Sequence, residues 1–266
     1  YHYNELFNPK DLNHLGEQQL LDQTIKITHS YPSSSIAQPV KRNDRLRVAY
    51  FSADFRRHSC AFFSLPLITN HTKEVEVFCF SVTEVEDFVT QKFKDACPNF
   101  FSCTGMTNSE LISFIRQKNI DIFIDLMGHT SSQHIEVILR RVAPIQISYL
   151  GYAQKTYLPT IDYRIVDRYS DPPNHESKYG ERLIRLPNSF LCYQDILNAP
   201  QIKPRDTTNK DIVFGSFNNP AKISIETWKT WMSILQKVPH SKLLIKSPSK
   251  GSVGFEDRAK AFASEF

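Results

Sequence analysis

The chain has 266 residues, 41% hydrophobic and 12% aromatic, enough apolar material for one large or two small cored domains, and this excludes a disordered protein. Its formal charge of +4 is small, and basic pairs such as Arg56-Arg57 and Arg140-Arg141 are interspersed with acidic residues, so the pattern gives no stripe for nucleic acid. The five cysteines are odd in number and form no Cys-x-x-Cys pair, which reads as reduced, mostly buried thiols of a cytoplasmic protein (nucleocytoplasmic in a eukaryote); no apolar run reaches the ~18 residues of a membrane span.

In chain order, Tyr1-His-Tyr-Asn-Glu5 looks like no signal peptide, and the missing initiator methionine reads as a fragment. Residues 9 to 30 carry a loose helical stripe of Leu12, Leu15, Leu20, Leu21, Ile25 and Ile27. A Ser- and Pro-rich linker runs from Tyr31 to about Asp44. An alternating rhythm then begins, with a strand at 46–51, a helix at 60–69, a strand at 75–82 and a helix at 87–96. Thr107-Asn-Ser-Glu110 has capping-box spacing and opens a helix with Leu111, Ile112, Phe114 and Ile115 on its inner side. Residues 120–127 (IDIFIDLM) are apolar on nearly both faces, as in a parallel strand covered by helices on both sides. A helix over 132–142 and strands at 145–150, 163–166 and 182–186 complete this unit. A second unit begins near Lys210 with a strand at 212–214, a helix at 224–238 and a strand at 242–246. The last part of the chain reads as a partial helix. Two strands and two helices cannot cover a parallel sheet, so this unit is expected to be incomplete as given.

Glycine is scarce, at eight residues, and neither a Gly-x-Gly-x-x-Gly fingerprint nor a P-loop is present. Asp-x-Asp does not occur, and no His, Cys and carboxylate cluster has metal-ligand spacing in sequence. A nucleotide site in this chain is therefore expected to work without metal. One turn fits such a site. Phe214-Gly-Ser-Phe-Asn-Asn-Pro-Ala-Lys222 joins a strand to an amphipathic helix, and the amides and dipole at a helix start favour an anion. The residues alone also permit an ordinary connection with a solvated lysine.

Five blocks in order carry a family resemblance: residues 47–58 (RVAYFSADFRRH), 120–130 (IDIFIDLMGHT), 143–152 (APIQISYLGY), 161–167 (IDYRIVD) and 214–222 (FGSFNNPAK). Together they resemble the catalytic region of the O-GlcNAc transferase and Spindly family. The resemblance covers roughly residues 44 to 250. It implies an α/β, GT-B-like fold of two Rossmann-like lobes with largely parallel sheets, the second lobe truncated. Residues 1–43 would then be an N-terminal helix and linker, the helix a connection to the tetratricopeptide helices that members carry, 44–204 the N-terminal catalytic lobe, and 205–266 the start of the donor-binding lobe.

The implied activity is inverting, metal-independent transfer of a sugar, GlcNAc from UDP-GlcNAc, to serine or threonine hydroxyls. The nucleotide sugar would be a co-substrate and a protein or peptide the acceptor, with no cofactor and with neither nucleic acid nor membrane as partner. A degenerate lobe acting as a binding or scaffold module is the alternative. By the resemblance, His58 and Lys222 are the catalytic pair, His58 near the reacting groups and Lys222 on the donor diphosphate. Gly128, His129, Thr130, Leu150, Gly151, Tyr152, Asn218 and Asn219 are expected to line the substrate. Where relatives continue Pro-Gly-Thr-Thr-Gly after Tyr152, this chain has Ala153-Gln-Lys-Thr-Tyr157, a change expected to reshape or reroute that loop.

Overall fold

The computed structural model describes residues 22, 25, 26, 45–174, 180–204, 211–218, 222–246 and 255–264. The helix and linker expected before residue 44 lie outside them, apart from residues 22, 25 and 26, which are helical. The described chain forms two compact units, one within Leu21–Ala199 and one within Pro200–Phe266.

The larger unit runs β1 (Leu46–Ser52), α1 (Ala61–Thr69), β2 (Val75–Ser81), α2 (Phe88–Ala96), β3 (Asn99–Ser102), α3 (Asn108–Gln117), β4 (Ile122–Asp125), a broken 3-10 segment (Gly128–His134), α4 (Ile135–Leu139), β5 (Ile145–Ser148), β6 (Tyr163–Asp167) and β7 (Arg182–Leu186). Its seven strands form one sheet in the order β3-β2-β1-β4-β5-β6-β7. Every pairing is parallel, with Val48 opposite both Val77 and Ile122.

Alternation along the strands feeds two cores. Ala49, Phe51, Phe80 and Phe123 pack with Leu111 and Ile115 of α3 and Ile135 and Ile138 of α4. Their neighbours Val48, Tyr50, Cys79 and Ile124 pack with Leu65 of α1 and Val89 and Phe93 of α2. β4 is the middle strand, as its two-faced apolar pattern predicts, with Phe123 fully buried.

Local chemistry sets the element ends. The capping box at α3 forms as expected: the Glu110 amide donates to Thr107 Oγ1 (3.3 Å) and the Thr107 amide donates to Glu110 Oε2 (2.8 Å). Pro66 inside α1 has no amide to offer the Phe62 carbonyl, and that carbonyl instead accepts the Gln194 amide at 2.9 Å, docking the segment after β7 onto the helix.

Three expectations change. β3 was not foreseen, because four residues carry too little periodicity to register. The strand expected over 120–127 closes at Asp125, whose carboxylate accepts the next free amides, those of Met127 (3.0 Å) and Gly128 (2.8 Å). The helix expected over 132–142 is a 3-10 segment kinked at Ser131 (φ −128°, ψ 81°) followed by the five residues of α4, which stop where Arg141 turns left-handed (φ +47°).

The smaller unit contains β8 (Ile212–Ser216), α5 (Ile225–Lys237), β9 (Ser241–Ile245) and α6 (Phe255–Ser264), with β8 and β9 parallel. Trp228 and Met232 of α5 are buried, and the Trp228 ring stacks on Phe262 (5.8 Å between centroids, 6° between planes). The tryptophans are core residues, as their helical spacing predicts. No helix among the described residues is long and apolar enough to cross a membrane. All five cysteines are free thiols: Cys79, Cys97 and Cys103 are buried, Cys60 is half-buried and Cys192 is exposed.

Candidate active site

Strands β1, β2 and β3 lead to one edge of the sheet and β4 to β7 lead to the other, so the order reverses between β1 and β4. Ligands of open α/β sheets bind beyond the carboxyl ends of the strands at such a reversal. The loop holding His58 leaves β1, the Gly128-His129-Thr130 turn leaves β4, and Leu150-Gly151-Tyr152 follows the adjacent β5. Seven of the residues singled out from sequence therefore sit on three neighbouring strand ends. Asn218 and Lys222 belong to the smaller unit, and Asn219 lies outside the described residues.

The turn after β4 depends on Asp125. Burial pushes its carboxyl up to about 6, against the opposing pull of the Met127 and Gly128 amides and of the Arg164 charge. The native value lies above the ordinary carboxylate pKa of about 4, so this group's contribution to stability is full below about pH 4 and is lost as pH rises through about 6. The two-unit difference amounts to an order-of-magnitude 3 kcal/mol. Carboxyl-carbon NMR should therefore give a midpoint near 6 for Asp125. Asp125→Asn should flatten the dependence of the urea midpoint on pH between about 4 and 6; an unaltered slope would place the titration elsewhere.

Gly128 has φ +53°, and a Cβ there would sit 2.5 Å from the Cβ of Tyr152, so glycine lets the β4 turn lie flat on the residue after β5. His129 follows. Its Nε2 lies 2.6 Å from the Thr156 carbonyl oxygen, which can only accept, so Nε2 carries the proton. Burial lowers the pKa of the ring. His129 is thus a neutral imidazole with Nδ1 left as an acceptor, and its ring meets Tyr152 edge-on at 5.2 Å. Thr130 Oγ1 donates back to the Met127 carbonyl (2.7 Å). A groove of about 390 Å³ opens beside these turns, lined by Ala53, Arg56, Glu84, Thr130, Gln133 and His134 among others. Of the residues singled out from sequence, Thr130 lines it.

The loop after β5 is held from beneath. Arg164 and Glu181 are an ion pair (3.8 Å) with side chains 4% and 2% exposed. Arg164 donates through Nη1 to the Tyr152 carbonyl (2.7 Å) and through Nη2 to that of Gln154. Glu181 Oε1 accepts from the amide of Thr156 (3.0 Å) and from its hydroxyl. Together the two charges grip residues 152, 154 and 156, and through Thr156 they place His129. Tyr157, where the family resemblance implies a glycine, has φ +55°. A non-glycine residue in that region costs roughly 1–2 kcal/mol, which the clamp offsets. Sequence reasoning missed Thr156, Arg164 and Glu181. The available signal was a charged residue, Arg164, flanked by Tyr163, Ile165 and Val166 in β6.

His58 is half-buried on a loop pinned by backbone contacts. The Asp54 amide donates to Ser52 Oγ (2.9 Å), and the Arg57 amide donates to Asp87 Oδ2 (2.7 Å). His58 Nδ1 lies 3.4 Å from Asp54 Oδ2 and accepts the Cys60 amide at 3.3 Å. No His, Cys and carboxylate cluster with metal-ligand spacing is read from the sequence, but the fold brings ligand atoms of Asp54, His58 and Cys60 within 4.8 Å of one another. Asp54 does not cap a helix by side chain, as Cys60 is the N-cap residue of α1 and no side-chain cap forms there.

In the smaller unit, half-buried Lys222 stands between β8 and α5, two residues before the N-cap Ser224, whose Oγ accepts the Thr227 amide at 3.1 Å. The lysine is therefore placed at the positive end of a helix of 13 residues.

Parallel strands covered on both faces and an order that reverses between β1 and β4 define an open, doubly wound α/β fold. The family model for glycosyl transferase family 41 matches residues 16–205. The chain belongs to glycosyl transferase family 41. Over 207 residues it is 38% identical to the tomato (Solanum lycopersicum) protein named probable UDP-N-acetylglucosamine–peptide N-acetylglucosaminyltransferase SPINDLY, covering 76% of this chain and 22% of that one. The Arabidopsis thaliana protein of the same activity name, SEC, is 31% identical over 239 residues, covering 84% and 24%. Among solved structures, a mutant O-GlcNAc transferase from Thermobaculum terrenum matches with a TM-score of 0.88 at 26% identity, over 100% of this chain and 52% of that one. The fold is that of the GT-B catalytic region of such enzymes, and the chain spans less than a quarter of the length of the tomato relative and about half of the solved one.

Proposed function

We propose that the protein carrying this chain is an inverting glycosyltransferase that moves GlcNAc from UDP-GlcNAc to serine or threonine hydroxyls of proteins without a metal. The observation that carries this reading is the family match over residues 16–205, joined to the siting of His58 and the Gly128-His129-Thr130 turn at adjacent strand ends of the β1/β4 reversal. In the reaction the acceptor oxygen forms a bond to the anomeric carbon as the bond from that carbon to the diphosphate oxygen breaks. Configuration inverts, and the hydroxyl proton passes to a base.

His58 is assigned the proton, because an imidazole can act as a general base and Asp54, 3.4 Å away, stabilises the imidazolium that forms. His129 is assigned a binding role, its Nδ1 accepting from a sugar hydroxyl while Nε2 stays committed to Thr156. Lys222 and the α5 N-terminus are assigned the leaving diphosphate, where a full positive charge replaces the divalent ion that other transferases use. Gly128, Thr130, Leu150, Gly151, Tyr152, Asn218 and Asn219 are assigned to the donor and acceptor walls.

Lys222→Ala in the full-length protein should lower kcat by about 10²–10³-fold, the cost of losing one preorganised charge stabiliser, with the thermal midpoint little changed. Transfer of labelled GlcNAc to an acceptor peptide measures it. Turnover unchanged in the variant would remove Lys222 from the mechanism. Nucleotide binding by calorimetry with no transfer from UDP-GlcNAc, UDP-glucose or GDP-fucose would favour the binding-module alternative instead.

A further inference from the structure

We propose that Asp54, His58 and Cys60 form a binding site for a thiophilic divalent cation of the Zn²⁺ class, and that the bound ion switches transfer off by occupying His58. Carboxylate, imidazole and thiolate are the three side chains that zinc takes most readily. In the Asp-x-x-x-His-x-Cys segment between β1 and α1 they are brought within 4.8 Å of one another.

The geometry is close to a coordination shell. Zinc–nitrogen and zinc–oxygen bonds of about 2.0–2.2 Å in a tetrahedron give a ligand–ligand edge of about 3.4 Å. Asp54 Oδ2 and His58 Nδ1 are 3.4 Å apart. Nδ1 has one lone pair, which accepts the Cys60 amide at 3.3 Å, so a cation seated between Nδ1 and Asp54 takes that lone pair over from the amide. The Cys60 thiol lies within 4.8 Å of both atoms.

The backbone carrying the three ligands is already held. Besides the Ser52 and Asp87 anchors, the Ala61 amide donates to the His58 carbonyl (3.0 Å) and the Ser64 amide to that of Cys60 (2.9 Å). Arg56 Nη2 lies 3.6 Å from Asp54 Oδ1, the oxygen turned away from His58, and orients the carboxylate from outside the site. All three ligand residues are half-buried, which leaves a fourth position open to water, as in exposed rather than structural zinc sites.

The thiol must lose its proton to bind. Binding therefore releases a proton and weakens as pH falls.

The binding half of this inference is independent of the proposed activity, whereas the inhibition half rests on the role of His58. The test uses the full-length protein with the exposed Cys192 replaced (Cys192→Ser) so that it cannot compete. One equivalent of Cd²⁺ should produce a thiolate-to-metal charge-transfer absorption. Cys60→Ala should abolish it, and His58→Ala should weaken binding by at least about tenfold. Zn²⁺ should inhibit GlcNAc transfer, and Cys60→Ala, which keeps His58, should transfer normally with at least about tenfold lower sensitivity to zinc. A cadmium band that survives Cys60→Ala, or no band at all, overturns the site. A band lost in Cys60→Ala alongside undiminished transfer at saturating zinc overturns the switch and with it the role of His58.

Discussion

Gly151→Ala should destabilise the larger unit by at least about 3 kcal/mol, enough to lower its thermal midpoint by roughly 10 °C. A Cβ at Gly151 would lie 1.8 Å from the Leu126 carbonyl oxygen and 2.8 Å from its carbon. Both atoms are main chain, one residue past the end of the central strand, and the Leu126 amide is itself bonded to the Phe51 carbonyl (3.0 Å). Nothing flexible can yield, so either β5 parts from β4 or β4 shifts against β1. Gly180→Ala is the control, because its Cβ would meet no atom nearer than the end of Lys155 at 3.7 Å, and that change should stay within about 1 kcal/mol of the parent. Urea midpoints of the two variants decide the matter. A Gly151→Ala protein as stable as the Gly180→Ala protein would mean that the close approach of the two strand ends is wrong.

Arg164→Met should cost about 3–5 kcal/mol, because Glu181 is left as a buried charge without its partner. Two carbonyls, those of Tyr152 and Gln154, also lose their donor. Pairing that change with Glu181→Gln should recover part of the loss, since the second substitution removes the uncompensated charge. A double-mutant cycle measures the coupling. The catalytic readout differs from the stability readout. Freed from the clamp, the Thr156 carbonyl no longer fixes which nitrogen of His129 holds the proton, so the double variant should bind donor more weakly even below its melting range. Additive effects of the two substitutions would argue that the charges act separately and that the loop is held by packing alone.

Legibility in the sequence followed periodicity and local chemistry. The α3 cap was readable because Thr107 and Glu110 are three residues apart, and α5 because Trp228 and Met232 recur one helical turn apart. Strands β1, β2 and β4 were readable as apolar runs. The β3 strand and the broken helix after β4 were not, as the first is too short to carry a period and the second depends on Ser131 and Arg141 backbone angles set by surrounding contacts. The site divides in the same way. His58, the Gly-His-Thr turn and Lys222 stand directly after strands, and that placement could be read off. The clamp could not, because Arg164 and Glu181 are seventeen positions apart and meet only when β6 pairs with β7.

By itself the sequence determined the parallel α/β rhythm, the family and the strand ends to which we assign its chemistry, because these rest on spacing within short stretches. Tertiary structure alone decided the order β3-β2-β1-β4-β5-β6-β7, the buried ion pair beneath residues 152–156 and the meeting of Asp54, His58 and Cys60. Those features are set by the path of the backbone through three dimensions, where a loop's curvature or a strand's neighbour brings together groups whose spacing along the chain carries no signal.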